Sequence, residues 1–391
     1  MNKRNSVFLI ILSFWIMCFS TSSVAAIDPA AAVVKLRVNC TNNGVALDDC
    51  FQTLWSLTSW IKTTRLPNAN RPLKVEIGPG TFGPNVDAGI VATSITCNPT
   101  LNYTGYISFE GAGNNQTIIT GMGSGSSSPL MVNSCTEMNF SHLQVTTTFY
   151  GAVEWSGGGI SRWNDVQLVG VGRAWYESCG ATPGTHYWTS SQLTATAAFS
   201  VVDTYDASCD ESFFSGSQIT ISVPSTYGQG LALSYGGAVV ASGRGIIHLY
   251  GSQLRAFIDG GASSQSNLVP AANAYNGGMI HIHGTGIDVS STSGRNITAL
   301  LANTGGMIHA NSSAYVMKST GTMTRINDNN KSGIIMAPYL WQEDASPPNI
   351  ISVNGSDQVV ITATSDGHPH PLIYDNTCPR KWYDTNSRTC Y

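Results

Sequence analysis

Charge is what this sequence has least of. Of its 391 residues only 11% are Asp, Glu, Lys or Arg, and the net charge is −4. No basic run follows the first few residues, so the electrostatic footprint of a nucleic-acid-binding surface is missing and no such partner is expected. Long apolar runs are missing too. Beyond the N-terminus nothing approaches the ~20 apolar residues that span a bilayer, so no membrane span is expected. No Cys-x-x-Cys pair is present, which leaves the common zinc frameworks without their ligands. Helical periodicity is confined to one segment. What remains is 40 Gly, 15 Tyr, 12 Phe and 9 Trp in a background of Ser, Thr and Asn, a balance usual in exported β-proteins.

The N-terminus has the form of a secretory signal over residues 1–26. Lys3 and Arg4 precede the apolar run VFLIILSFWIMCF, and Ala25 or Ala26 supplies a small residue for cleavage. The expected location is therefore secreted, periplasmic or cell-surface. Cleavage would remove Cys18 from the nine cysteines and leave Cys40, Cys50, Cys97, Cys135, Cys179, Cys209, Cys378 and Cys390. An even number in an exported chain favours disulfides. Sequential pairing (40–50, 97–135, 179–209, 378–390) closes the shortest loops, and is one of many connectivities that eight cysteines allow.

Residues 46–62, ALDDCFQTLWSLTSWIK, carry an apolar face at three- and four-residue steps, with Asp48 and Asp49 expected in the first helical turn. After them the period becomes two. Leu73, Val75 and Ile77 alternate with Lys74 and Glu76 before the turn Gly78-Pro79-Gly80. Short strands bounded by Gly, Ser or Asn follow. A repeat is visible among them: GIIHLYG from Gly245, GMIHIHG from Gly278, GMIHANS from Gly306 and GIIMAPY from Gly333, at intervals of 33, 28 and 27 residues. GAVEWSGGGISRW, from Gly151, has the same outline. Short strands at such a period predict an all-β, single-stranded, right-handed parallel β-helix of roughly nine to eleven coils. The expected organisation is an N-terminal cap with the amphipathic helix over 27–72, the β-helix over 73–345, and a C-terminal cap with a disulfide over 346–391. An uncapped end would expose strand edges.

GVALDDCFQTLWSLTSWIK, LKVEIGPGTFGPNV and ISFEGAGNNQTIITG together resemble the opening of pectin-lyase-like β-helix proteins. The resemblance covers about 75 residues closely, and the rest of the chain as a repeat outline. It implies the fold. It does not extend to the motifs of the enzymes built on that fold. Where pectin methylesterases carry Gly-x-Tyr-x-Glu, Pro84 stands at the Glu position, and Asp203-Thr204-Tyr205 only faintly matches their first aspartate motif. Asn303-Thr304 is followed by Gly305, and Ile282-His283-Gly284 lacks the leading Gly of the polygalacturonase motif.

Three groups of residues are candidates for chemistry. In GMIHIHG the alternation puts Ile280 and Ile282 on one face and His281 and His283 on the other. If the units stack, Ile247, Ile280, Ile308 and Ile335 line the lumen. His248, His281 and His309 then form an outer ladder, which is a solvent-facing stack, a weak metal site or the seat of a general base. The second group is acidic. Asp203, Asp206, Asp210 and Glu211 lie close in sequence, and with Asp165, Arg162 and Arg173 one coil earlier they offer Ca²⁺ ligands or an acid–base set. The third is aromatic: Trp155, Trp163, Trp175, Tyr176, Tyr187 and Trp188 either present a sugar-stacking surface or fill the lumen. No cofactor other than Ca²⁺ is suggested. Three functions follow: an exported protein that binds a glycan or surface polymer, a carbohydrate-active lyase or esterase acting on an acidic polysaccharide, and an adhesin-like structural protein.

Overall fold

A computed structural model describes residues 27–310, except 44, 84–92, 122–127, 149–150, 179–181, 197–199, 205–209, 226–235, 261–269 and 296. Beyond 310 it describes residue 319 and the strands up to Cys390. The signal-like segment, Asp206 and the pairs Cys179–Cys209 and Cys378–Cys390 lie outside the described residues or side chains.

Alternation builds the fold. Leu73–Ile77 buries Leu73, Val75 and Ile77 and leaves Lys74 and Glu76 half exposed. The next strand in the chain does not return beside it. It turns a corner, and each later strand up to Val360–Ala363 pairs in parallel with the one a full coil earlier. Three sheets result. Sheet 1 runs through Leu73–Ile77, Gly105–Glu110, Glu137–Ser141, Gly159–Asn164, Gly184–Thr189, Glu211–Ser215, Ile246–Tyr250, Met279–His283 and Met307–Asn311. Sheets 2 and 3 have ten strands each, one per coil, starting at Gly80–Phe82 and Thr93–Thr96. This is the right-handed parallel β-helix that the repeat predicted, in the hand that parallel crossovers adopt.

The corner between sheets 1 and 2 shows why the sequence turns where it does. One residue per coil takes a left-handed backbone: His142, Asp165, Ser190, Gly216, Gly251 and Gly284, with φ of 55°, 51°, 50°, 57°, 53° and 55°. A Cβ at Gly251 or Gly284 would meet nothing within 4 Å, so backbone preference and not space favours glycine there. The next residue points inward. Ser191 Oγ accepts from Val166 N at 3.3 Å, Ser217 Oγ from Ser191 N at 3.3 Å, and Ser252 Oγ from Ser217 N at 3.2 Å. Each hydroxyl thus satisfies a buried amide of the preceding coil.

The repeat units stack in the expected register. Ile247, Ile280, Ile308 and Ile335 are partners on successive rungs and all are buried in the lumen. Upstream, the matching strand is Gly159–Asn164, because 151–156 belongs to sheet 3; the unit expected from Gly151 is therefore displaced by one strand. Two residues along the same strands, the inward column that contains Leu249 and Ile282 becomes aromatic in the middle coils. Phe109, Phe140, Trp163, Trp188 and Phe214 stack with ring centroids 5.3, 4.0, 4.8 and 5.5 Å apart and planes within 10°.

Both ends differ from the sequence expectation. The helix begins at Leu54 and not near residue 46, and passes into a wider turn over Ile61–Arg65. Cys50–Phe51 instead pairs in parallel with Lys35–Leu36, held by the Cys40–Cys50 disulfide. Asp49 adopts a positive φ of 52° and accepts a hydrogen bond from Asp28 N, so neither it nor Asp48 lies in the helix. Thr53 caps the helix through Ser56 N. Leu54, Leu57, Trp60 and Ile61 join the same apolar core as Val34 and Leu36, and Phe51 packs on Trp60 at 5.3 Å, which caps the stack. The second expected disulfide, Cys97–Cys135, is also formed. At the other end parallel pairing continues past 345, through Ile350–Val353 and Val360–Ala363, before three antiparallel strands end the sheet.

Candidate functional site

The outer face of sheet 1 carries the predicted ladder. His248, His281 and His309 are register partners and continue a column formed by Arg162, Tyr187 and Phe213. Tyr187–Phe213, Phe213–His248 and His248–His281 stack at 5.2, 4.5 and 4.8 Å, and the Arg162 guanidinium sits 5.8 Å from the Tyr187 ring. Ring faces cover ring faces along the column, so only edges meet solvent. A sugar that needs an open aromatic face finds none between the rungs.

The three ladder histidines do not themselves converge. His248 Nε2 is held 2.8 Å from Glu211 Oε1. The histidines that come together are His281, His283 and His309, whose nitrogens all lie within 4.8 Å of one another. Burial, followed by repulsion from neighbouring imidazoles, holds His281 and His283 below the ordinary imidazole value.

The acidic candidates scatter. Asp165 sits at the sheet 1–sheet 2 corner, 2.9 Å from His142 Nδ1 and accepting from Asn114. Arg162 pairs with Glu137 at 2.6 Å on the outside of sheet 1. Arg173 Nε lies 3.0 Å from Asp203 Oδ2 on sheet 3, both nearly buried, with the guanidinium over the Tyr176 ring. Asp210 is fully buried, and Glu211 points outward to His248. Asp203, Asp210 and Glu211 thus take separate partners, Arg173, His186 and His248. Neighbours in sequence land on different faces, because each sheet corner redirects the chain. The aromatic reading is corrected as well. Trp155, Trp163, Trp175 and Trp188 are at most 1% exposed and fill the lumen, where no glycan reaches them. Tyr176, half-buried on sheet 3, is covered by Arg173.

Two sites escaped the sequence. Inside the lumen, His186 Nε2 lies 3.2 Å from Glu177 Oε2 and 3.7 Å from Asp210 Oδ2, all three side chains being fully buried. Ser161 Oγ meets His186 Nδ1 at 2.8 Å, Ser212 Oγ donates to Glu177, and Gly184 N donates to Asp210. Trp155 and Trp175 bring ring edges to within 5.1 Å of the imidazole centroid. Burial pushes Glu177 up to about 7, against the pull of His186. The three offer ligand atoms within 4.8 Å of one another, but the tryptophans seal them from solvent, so they form a structural network and not an entry point for an ion. The signal was present: His186 has the strand parity of Trp188 and not of Tyr187, which marks an inward polar residue.

The other site is a cleft of about 580 Å³ where sheet 3 turns into sheet 1, crossing three successive coils. Asn133, Ser156 and Ser178 are register partners along it, and Pro99, Ser134, Cys135, Thr136, Gly157–Gly159 and Thr182 make up the rest of its described lining. Gly157 and Gly159 have φ of 78° and 127°, and a Cβ at Gly158 would collide with Thr182 Oγ1. Small size here keeps the groove open and its backbone accessible. The run WSGGG carries that signal in sequence. Among the described residues no ionisable side chain lines the cleft. Among the described residues no helix is long and apolar enough to cross a membrane.

No protein-family model and no curated protein matches the chain. Among solved structures it is similar to a pectin methylesterase from Yersinia enterocolitica at 12% identity, over 62% of this chain and 81% of that one, with a TM-score of 0.42. The pectin methylesterase PemA from Erwinia chrysanthemi aligns at 9% identity over 81% of this chain and 90% of its own, with a TM-score of 0.43. A pectin methylesterase in complex with a hexasaccharide aligns at 10% identity over the same shares, with a TM-score of 0.45. Three parallel sheets, each contributing one strand per coil, make this a right-handed parallel β-helix.

Proposed function

We propose that this chain is an exported β-helix protein that binds a polysaccharide along the cleft between sheets 3 and 1, without transforming it. The observation that carries this reading is the cleft wall: among the described residues it presents the hydroxyls of Ser134, Thr136, Ser156, Ser178 and Thr182, the Asn133 carboxamide and a run of glycines, beside Pro99 and the disulfide-bonded Cys135. Hydroxyl and amide groups both donate and accept, which matches the hydroxyls of a sugar. A volume of about 580 Å³ suits one or two sugar units, so affinity per site is modest and the polymer supplies avidity. Two closed disulfides fit export to an oxidising compartment. Among the described residues the wall has no carboxylate to act as acid or base, which favours binding over the lyase or esterase alternative at this place.

The test is affinity electrophoresis of the purified protein through gels containing a panel of plant and bacterial polysaccharides. Retardation by at least one polymer is expected. Ser156→Tyr, which narrows the cleft, should weaken it about tenfold, while Tyr187→Ala on sheet 1 leaves it unchanged. Absence of retardation throughout the panel would remove the binding reading. Release of unsaturated products, reducing ends, methanol or acetate from the same polymers would establish an enzyme in its place.

A further inference from the structure

We propose that His281, His283 and His309 bind a late first-row transition-metal ion, Cu²⁺ ahead of Zn²⁺, on the outer face of sheet 1. The site follows from the fold. His281 and His283 are two apart on Met279–His283 and so share the outer face, and His309 is the register partner of His281 on the next coil. The His309 ring stands at 87° and 90° to the other two, with centroids 5.9 and 5.6 Å away. Two ligands on one strand and a third on its neighbour surround a point above the sheet instead of lying in one line.

The nitrogens are within 4.8 Å of one another. Three imidazoles at ~2.0–2.1 Å from a tetrahedral ion sit about 3.3 Å apart, so closure needs side-chain movement on the order of 1 Å. The rings are half-buried on an outer face, where χ rotation is not blocked by lumen packing. The donor set selects the ion. It is all nitrogen, which disfavours Ca²⁺ and Mg²⁺, and Met279 Sδ lies 2.9 Å from His281 Nε2, placing a soft thioether beside the imidazoles. Nitrogen and thioether donors, with the general order of divalent affinities, put copper first. The outward carboxylate of Glu211 is engaged by His248 at 2.8 Å. The site lies apart from the cleft and is independent of glycan binding.

The experiment uses the untagged full chain, because a histidine tag would mask the result. Equilibrium dialysis against CuCl₂ and, separately, ZnCl₂ is read together with electron paramagnetic resonance of the Cu²⁺ form. One Cu²⁺ per chain with nitrogen coordination is expected, and Zn²⁺ at the same site more weakly. His283→Ala and His309→Ala should each weaken binding about tenfold or more, and His248→Ala should not. Thermal transitions in metal-free buffer confirm that the variants fold. Oxygen-only coordination of Cu²⁺ by the wild-type protein would overturn the proposal whatever the variants do. So would undiminished affinity in His283→Ala/His309→Ala, or equal loss in His248→Ala.

Discussion

Glu177 shows what one residue does when the lumen takes in a charge. Its carboxyl is sealed among Trp155, Trp175 and His186, and burial raises its pKa to about 7, with His186 opposing and Asp210 adding to the rise. A raised carboxyl pKa means that the folded chain holds a proton which the unfolded chain has released. The stabilising contribution is therefore complete below the ordinary carboxylate value and is lost as pH rises through about 7. Urea midpoints of the wild type should fall between pH 4.5 and 7.5 by the equivalent of about 3 kcal/mol at most, one unit being about 1.4 kcal/mol. Glu177→Gln keeps the shape and the Ser212 hydrogen bond and removes the titration, so it should flatten that slope. A Gln variant as pH-sensitive as the wild type would mean that Glu177 is not the group responsible.

At the scale of the strand, packing in the middle coils rests on the aromatic column. Trp188 lies at its centre, stacked on Trp163 and Phe214 and met edge-on by Trp175 at 4.9 Å. Trp188→Ala should cost about 3–5 kcal/mol in equilibrium denaturation, and Trp188→Phe less than half of that. Tyr187→Ala, one residue away but 40% exposed, should cost under about 1 kcal/mol. Strand parity made much of this legible: Ile247, Ile280 and Ile308 fell on the inner face and His248, His281 and His309 on the outer one, as alternation requires. The same parity puts Trp163 and Trp188 inside, next to the outward Arg162 and Tyr187, but a run of aromatics close in sequence fits a surface as well as a lumen until each is assigned to its strand. The helix start was misplaced because Cys50–Phe51 is drawn into a strand by a disulfide and by Lys35–Leu36, partners no local period reveals. The histidine set was read along one column, whereas His248 turns to Glu211 and His283 joins from the neighbouring column. The cleft is assembled from three coils and has no contiguous signature beyond its glycines.

Across the whole molecule, contacts run almost entirely between consecutive coils, so stability behaves as a chain of neighbouring terms and not as one shared core. The described disulfides are both at the N-terminal end. Cys40–Cys50 ties the cap, and Cys97–Cys135 joins the segments that leave the first two strands of sheet 3, a closure of 38 residues. Chain-entropy arguments give such a loop about 4 kcal/mol. In a globular domain that loss would spread over every residue. In a solenoid it should stay near the end that loses its staple, because the middle coils keep their stacked aromatics and their buried Glu177–His186–Asp210 network. Hydrogen exchange of Cys97→Ser/Cys135→Ser is therefore expected to accelerate in Leu73–Ile77, Gly105–Glu110 and Thr117–Gly121, by a factor on the order of 10³ at most. Strands from Gly184–Thr189 to Ile297–Ala302 should exchange as in the wild type. Even acceleration along the chain would show that the coils unfold as a single unit, and that the N-terminal staples stabilise all of them together.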